Sequence, residues 1–226
     1  LTHNYTGYPM VKEARALVAA GRLGRIRRVV VEYPQGWLAT RLEATGQKQA
    51  AWRTDPKQAG IACCMGDIGT HAHNLAEYVT GARLCEVSAE LTTFVKGRKL
   101  EDDGSVLIRF DNGARGVLWA SQIAVGVENG LNIRVYGEKG GVEWQQWEPN
   151  SLVVRWPDKP LEIRRTGTPF VGPAARAAAR IPPGHPEGYQ EAFAVLYKHF
   201  AEALARVLDG RKVTESAMDY PTVREG

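Results

Sequence analysis

Hydrophobic and polar positions follow two different periods along the chain, and the change of period separates a helical region from a strand-rich one. Over residues 60–81 (GIACCMGDIGTHAHNLAEYVTG) the apolar positions recur every three to four residues, which predicts a helix. At about 100° per residue, Asp67, His71, Asn74 and Tyr78 share one polar face of that helix. An acid and a base one turn apart can hold a small substrate between them. If the protein catalyses a reaction, we expect the reaction to take place at this helix face.

After this helix the sequence is dominated by β-branched and aromatic residues with turn signals between them. Seven strands are predicted, at 85–95, 106–110, 116–123, 131–136, 142–147, 152–156 and 161–165. Asn112-Gly113 is the strongest hairpin signal, and the glycine cluster GEKGG at 137–141 also predicts a hairpin turn. Because strands joined by tight turns pair with their neighbours in sequence, we expect a large, mostly antiparallel meander.

The flanking segments complete the layout. The predicted elements are a strand at 1–5, a helix from Pro9, a strand at 26–33, an irregular wall-forming loop with a short helix at 39–59, a Pro/Gly/Ala-rich loop at 166–186 and a helix at 187–208. Together they predict the α+β class, with a large, mostly antiparallel open sheet and helices packed on one face.

Composition narrows the partners. The chain has 226 residues, with 29 Lys and Arg against 25 Asp and Glu, for a net charge of +4. These basic residues are scattered, and a nucleic-acid-binding surface usually needs a denser cluster. Neither a signal peptide nor an apolar run of transmembrane length is found, so we expect no membrane partner and a cytoplasmic location.

Cysteine and glycine spacing exclude further classes of site. Cys63, Cys64 and Cys85 are odd in number and lack C-x-x-C spacing, which argues against a disulfide framework and a structural zinc site. We expect the adjacent pair to be buried and no metal to be bound. Nothing matches G-x-G-x-x-G between a strand and a helix, so this chain has no recognisable dinucleotide site.

The run GDIGTHAHNLAEYVTG resembles the C-terminal domain of the glucose–fructose oxidoreductase / inositol dehydrogenase / rhizopine-catabolism (Gfo/Idh/MocA) family. Asp67, Gly69 and His71 match that family's Asp-x-Gly-x-His-x-x-Asp pattern, with Asn74 in place of the last Asp. The opening NYTGYP, the W-R-x-D-P run at 52–56 and the segment IRVYGEKGGVEW support the resemblance, which extends over nearly the whole chain.

The resemblance implies an NAD(P)-dependent dehydrogenase that oxidises a secondary hydroxyl of a sugar, sugar derivative or cyclitol. It implies that 1–226 is the C-terminal substrate-binding and oligomerisation domain, forming a homodimer or homotetramer through its sheet. NAD or NADP and the family's catalytic lysine then belong to an N-terminal Rossmann domain outside this chain. Both ends are accordingly expected to continue in a longer protein.

The resemblance also implies roles for individual residues. His71 is expected to be the general base, and Asp67 to hold a substrate hydroxyl or orient the imidazole. Asn74 is expected to bind a hydroxyl, although an amide cannot raise the basicity of His71 as a carboxylate does. Five further candidates for the substrate site are Tyr5, Trp37, Trp52, Arg53 and His185.

Two alternatives belong to other functional classes. In the first alternative, the chain is a carbohydrate-binding or assembly domain without catalysis, since hydride transfer needs a nucleotide site that it lacks. Alternatively, His71 and His73 lie on a β-strand, point the same way and ligate a metal in a β-fold. Without the resemblance, the favoured interpretation of Asp67 and His71 is structural, as a carboxylate at a helix N-terminus and a histidine with satisfied hydrogen bonds.

Overall fold

A computed structural model describes residues 1–214 and 218–225. Its six α-helices are α1 (Pro9–Ala19), α2 (Lys48–Arg53), α3 (Pro56–Ala59), α4 (Thr70–Thr80), α5 (Pro173–Ala178) and α6 (Tyr189–Leu208). Short 3₁₀ turns cover Asn4–Gly7, Leu42–Thr45 and Val223–Glu225. Of the helices in this part of the chain, none combines the length and apolar composition needed to cross a bilayer.

One eight-stranded sheet forms the frame of the molecule. Its strands are β1 (Ile26–Pro34), β2 (Leu84–Thr92), β3 (Asp103–Phe110), β4 (Arg115–Ser121), β5 (Asn132–Gly137), β6 (Gly141–Gln145), β7 (Ser151–Arg155) and β8 (Glu162–Arg165). Their order across the sheet is β2-β3-β4-β1-β5-β6-β7-β8. Apart from the parallel pair β1–β4, neighbouring strands are antiparallel.

The predicted plain meander is wrong at one place, since β1 separates β4 from β5. The run IRRVVVEYP supplies a β-branched strand whose residues Val29, Val31 and Tyr33 are all buried, as suits the centre of a sheet. Insertion of β1 brings its carboxyl end next to the end of β4. That edge of the sheet carries the residues described below.

The core lies between α1, α4 and one face of the sheet. Buried residues of α4 such as Leu75 and Val79 join Val31 of β1 and Ile133 of β5 in one cluster. On the opposite face, apolar side chains including Leu107 are exposed. The α+β class and the mostly antiparallel open sheet are therefore confirmed, while the packing of all helices on one face stays a prediction.

Several predicted boundaries need correction. Residues 1–5 form no strand, because the chain turns at Asn4–Gly7 with Thr6 Oγ1 donating to the His3 carbonyl at 3.1 Å. The segment 39–59 holds two short helices and a 3₁₀ turn, and 166–186 contains α5. The hairpin at Asn112-Gly113 is confirmed, since Gly113 adopts φ 86° there.

Candidate active site

An open cavity of about 600 Å³ lies where β1 ends against the helices, a size typical of small-molecule sites. Five of the predicted site residues line it, namely Tyr5, Trp37, Arg53, Asp67 and His71. The other lining residues are Tyr33, Gln35, Gln47, Gln49, Ile68, Glu128, Asn129 and Tyr189. Its wall is therefore mostly hydroxyl, amide and aromatic groups.

A turn of π-helix at Met65–Gly69 precedes α4 and carries Asp67. The nearly buried carboxylate of Glu101 accepts hydrogen bonds at 2.9 Å from the backbone N–H groups of Cys63 and Met65. These donors lie at the start of the helical region and have no partner within it, so Glu101 anchors the segment from a distant loop. The predicted helix over 60–81 thus begins at residue 65 and is wider at its start.

Two glycines leave room for the Met65 side chain beside this turn. A Cβ atom at Gly104 of β3 would lie 2.6 Å from Met65 Sδ, and one at Gly69 would lie 2.9 Å from Met65 Cε. The sheet can therefore approach the π-turn closely.

Two donors hold the carboxylate of Asp67. Arg53 Nε donates to Asp67 Oδ2 at 3.0 Å, and Gln122 Nε2 donates to the same oxygen at 2.9 Å. Gln122 is fully buried and its Oε1 accepts from Cys63 Sγ at 3.4 Å, which sets the direction of the amide. Because both bonds end on Oδ2, Asp67 Oδ1 keeps acceptor capacity for a ligand in the cavity.

The guanidinium of Arg53 is held between aromatic rings and amides. It stacks at 4.3 Å over the Trp52 ring and 5.8 Å from the Trp37 ring, and its Nη1 donates to Gln49 Oε1 at 2.5 Å. Stacking and hydrogen bonding together pre-organise the planar guanidinium. The positively charged guanidinium is thereby held beside the carboxylate of Asp67.

His71 lies on α4 inside a ring of aromatic side chains. Its ring centroid is 5.2 Å from that of Tyr5 and 4.6 Å from that of His3, both edge to face. The Nδ1 atoms of His71 and His3 are 3.1 Å apart. Burial lowers the pKa of His71 from 6.5 to about 4, so its imidazole is neutral near pH 7 and can accept a proton.

A hydroxyl and amide cluster forms another wall of the cavity. The Tyr5 and Tyr33 hydroxyls share a short hydrogen bond, and Asn129 Nδ2 donates to the Tyr5 hydroxyl at 3.3 Å. Gln35 Nε2 in turn donates to Asn129 Oδ1 at 2.8 Å. Burial raises the pKa of both tyrosines, so they stay protonated donors near neutrality.

Three predicted site residues lie away from this cavity. Trp52 supports Arg53 by stacking on it and does not line the cavity itself. His185 is exposed, with its Nδ1 at 3.2 Å from the Pro182 carbonyl. Asn74 is buried and lines a second cavity with Tyr78. The predicted polar face is therefore divided between two cavities.

Sequence reasoning missed residues that the fold brings to the site. His3, Tyr33, Gln35, Gln122 and Asn129 all contact the predicted residues or line the cavity. A signal existed for Gln122, which continues the buried phase of β4 after Leu118 and Ala120. A polar residue at an inward position needs a partner, and here that partner is Asp67.

The metal-binding alternative is wrong in its geometry. His71 and His73 lie on α4 and not on a strand, so they point in different directions. His73 Nε2 lies 3.3 Å from Glu77 Oε1, one turn along the same helix. In the described ranges, no three or more His, Cys, Asp or Glu side chains are grouped as a metal site requires.

A model of the GFO/IDH/MocA C-terminal domain matches residues 11–143 of this chain. The uncharacterized oxidoreductase YfiI of Bacillus subtilis is 32% identical over 232 residues, a match that covers 100% of this chain and 58% of that protein. An inositol dehydrogenase homolog of Azotobacter vinelandii, solved with NADH and myo-inositol, is 32% identical with a TM-score of 0.86. That match covers 99% of this chain and 57% of the solved one.

Levoglucosan dehydrogenase, solved with NADH and levoglucosan, is 27% identical with a TM-score of 0.81; the match covers 96% of this chain and 58% of that one. The chain thus spans a little over half the length of these relatives. Family model, sequence identity and fold agree with one another. The chain belongs to the Gfo/Idh/MocA family of NAD(P)-dependent oxidoreductases.

Proposed function

We propose that this chain is the substrate half of an NAD(P)-dependent dehydrogenase that oxidises a secondary hydroxyl of a sugar, sugar derivative or cyclitol. The observation that carries the proposal is that Asp67 and the neutral imidazole of His71 line one cavity walled by hydroxyls and amides. The relatives solved with myo-inositol and levoglucosan support this class of substrate.

The cavity suits a neutral polyhydroxylated ligand. Asp67 Oδ1 and the side-chain amides offer acceptors, while the amide N–H groups and tyrosine hydroxyls offer donors. Trp37 provides a ring for the apolar C–H side of such a molecule. Arg53 is the one cation among the described lining residues, and its charge is already matched by Asp67.

In this proposal, His71 accepts the proton of the hydroxyl that is oxidised, and Asp67 holds a neighbouring hydroxyl and so fixes the sugar ring. Near neutrality the imidazole is unprotonated, as a base must be. Bound NAD or NADP supplies the hydride acceptor. The loss of one proton and one hydride then converts the secondary alcohol to a ketone.

The residues of this cavity fit the substrate and do not fit the phosphates of a dinucleotide. A pyrophosphate is usually held by free backbone N–H groups at a helix start or by unpaired cations. Arg53 is engaged by Asp67 and Gln49, and so has no free fork for a phosphate. We therefore assign the nucleotide, with the family's lysine, to an N-terminal Rossmann domain outside this chain.

The same proposal covers the domain as a whole. Residues 1–226 serve as the substrate-binding and oligomerisation domain of a cytoplasmic enzyme, with no nucleic-acid or membrane partner. A homodimer or homotetramer forms through the open face of the sheet, where Leu107 and Ile163 are exposed. Alone, the chain binds the polyol and does not turn it over.

The test uses the full-length protein, with neutral sugars, anhydrosugars and cyclitols offered together with NAD⁺ and NADP⁺. We expect reduction of the nicotinamide by at least one neutral polyol, and retained polyol binding with lost turnover in His71→Gln. A full-length protein that binds nucleotide and polyol together without turnover would instead establish the non-catalytic alternative.

A further inference from the structure

The unusual feature of the site is a direct contact between two histidine rings. His3 precedes the turn at Asn4–Gly7 and His71 lies on α4, yet their Nδ1 atoms are 3.1 Å apart with the rings inclined at 75°. Only one proton can occupy such a contact. One Nδ1 must carry the proton and donate, and the other must accept with its lone pair.

Both rings are neutral at physiological pH, so the contact is a hydrogen bond and not a repulsion between cations. Burial, and secondarily the charge of His71, lowers the pKa of His3 to about 4. Only 6% of the surface of His3 is exposed to solvent. A neutral pair leaves each imidazole with one N–H and one lone pair, and the contact couples the two tautomers.

The tautomer of His71 decides whether it can act as a base. Its Nδ1 is occupied by His3, so Nε2 is the ring nitrogen left for a ligand in the cavity. For Nε2 to accept a hydroxyl proton it must hold a lone pair, which places the proton on Nδ1. His71 must then donate through Nδ1, and His3 must accept through Nδ1 while its own proton resides on Nε2.

A carboxylate or a backbone carbonyl usually performs this task for a catalytic histidine. In the described part of this chain, the hydrogen bonds of Asp67 run to Arg53 and Gln122 and not to His71. Asn74, which stands at the family's second Asp position, lines a different cavity. His3 therefore occupies the orienting position.

We propose that His3 is a positioning residue that fixes His71 as the tautomer protonated on Nδ1, with its Nε2 lone pair available to the substrate. The inference rests on the proposed function, because it assigns the direction of the hydrogen bond from the base role of His71. As the substrate proton reaches Nε2, the imidazolium keeps its Nδ1–H bond to His3, which stabilises the new charge without taking the proton.

The test is the tautomer itself, read by long-range ¹H–¹⁵N NMR on the full-length protein labelled with ¹⁵N-histidine at neutral pH. His71→Gln and His3→Gln assign the two sets of signals. We expect a protonated Nδ1 and an unprotonated Nε2 for His71, with the reverse arrangement for His3. A wild-type His71 protonated on Nε2 overturns the proposal, whether or not the protein oxidises any polyol.

Kinetics give a second, independent arm. His3→Leu removes the acceptor, so kcat should fall about 10- to 100-fold with little change in KM, as for other partners that orient a catalytic histidine. His3→Asn places an amide oxygen near the former Nδ1 and should recover most of kcat. His73→Gln is the matched control, since His73 pairs with Glu77 outside the cavity. Wild-type kcat in a folded His3→Leu variant contradicts the assignment.

Discussion

The two ends of one polar helix face behave as opposites in this protein. Asp67 and His71 open into the cavity of the proposed active site, whereas Asn74 and Tyr78 line the second cavity. Spacing along the helix made the four residues look equivalent. What distinguishes them is the side chains that the rest of the fold places opposite each pair.

Opposite Tyr78, the partners form a closed ionic network. The Tyr78 hydroxyl donates to Asp219 Oδ1 at 2.7 Å and accepts from Lys12 Nζ at 3.0 Å, while Lys12 Nζ and Asp219 Oδ2 are 2.6 Å apart. These contacts tie α1 and α4 to the segment after α6. Every charge has an opposite charge beside it, so this end stabilises the fold.

The described side chains around His71 form no such ionic network. The imidazole is kept neutral by burial, and Asp67 keeps one carboxylate oxygen open to the cavity. An acceptor oxygen that faces a cavity is available to a ligand. Under the proposed function, one end of the helix face serves catalysis and the other serves folding.

The largest expected effect comes from removing one polar group at each end of the helix face, in two separate variants. His71→Gln removes the proposed base and should lower kcat of the full-length protein by about 10²- to 10⁴-fold, the usual contribution of general base catalysis. Tyr78→Phe removes a hydroxyl of similar burial at the other end and should leave kcat close to wild type. Steady-state kinetics with a polyol found in the substrate screen measures both.

The same two variants can also disprove the proposed difference in function between the two ends. Equal losses of kcat in His71→Gln and Tyr78→Phe, with both proteins folded by circular dichroism, would show that the two ends form one functional site. An unchanged kcat in His71→Gln would remove the histidine from the proposed chemistry altogether.

Local signals in the sequence predicted much of this architecture. Alternation and turn residues located the strands from β2 to β8, and Pro9 marked the start of α1. The position of β1 between β4 and β5 could not be predicted, because long-range pairing leaves no signal in the spacing of residues. The π-turn was missed for a similar reason, since Glu101 anchors it from a distant loop.

The site shows the same limit. Asp67, His71 and Arg53 were predicted, because a motif and a neighbouring run of residues marked them. His3 and Gln122, which hold the predicted pair, come from other parts of the chain and carry no motif. Asn74 was misplaced because its partners, unlike its helical phase, are set by tertiary contacts.

A smaller effect is expected from the ionic end. Lys12→Met leaves Asp219 without its closest cation and breaks the bond to Tyr78, so the free energy of unfolding should fall by about 2 kcal/mol. His71→Gln should lose less stability, since it disturbs one hydrogen bond and no ion pair. Chemical denaturation of each purified protein measures the difference. A Lys12→Met variant as stable as wild type would mean that this end holds no stabilising network.

The smallest effect concerns protons at the cavity end. Burial lowers the pKa of both His71 and His3 from 6.5 to about 4, so the unfolded chain binds protons that the folded chain does not. Stability should therefore decrease as the pH falls below 6.5, and this contribution should level off below about 4. For His71 alone, the decrease between pH 6.5 and 5.5 is about 1 kcal/mol.

Denaturation midpoints of wild type and His71→Gln over this pH range isolate the contribution of the cavity end, because His199 and the carboxylates of the ionic end are the same in both proteins. His71→Gln should make the decrease shallower by removing one buried titrating ring. If the His71→Gln slope equals that of wild type, the imidazole is already accessible to protons in the folded protein. The cavity end would then hold a solvated histidine, and the contrast between the two ends would rest on the ionic network alone.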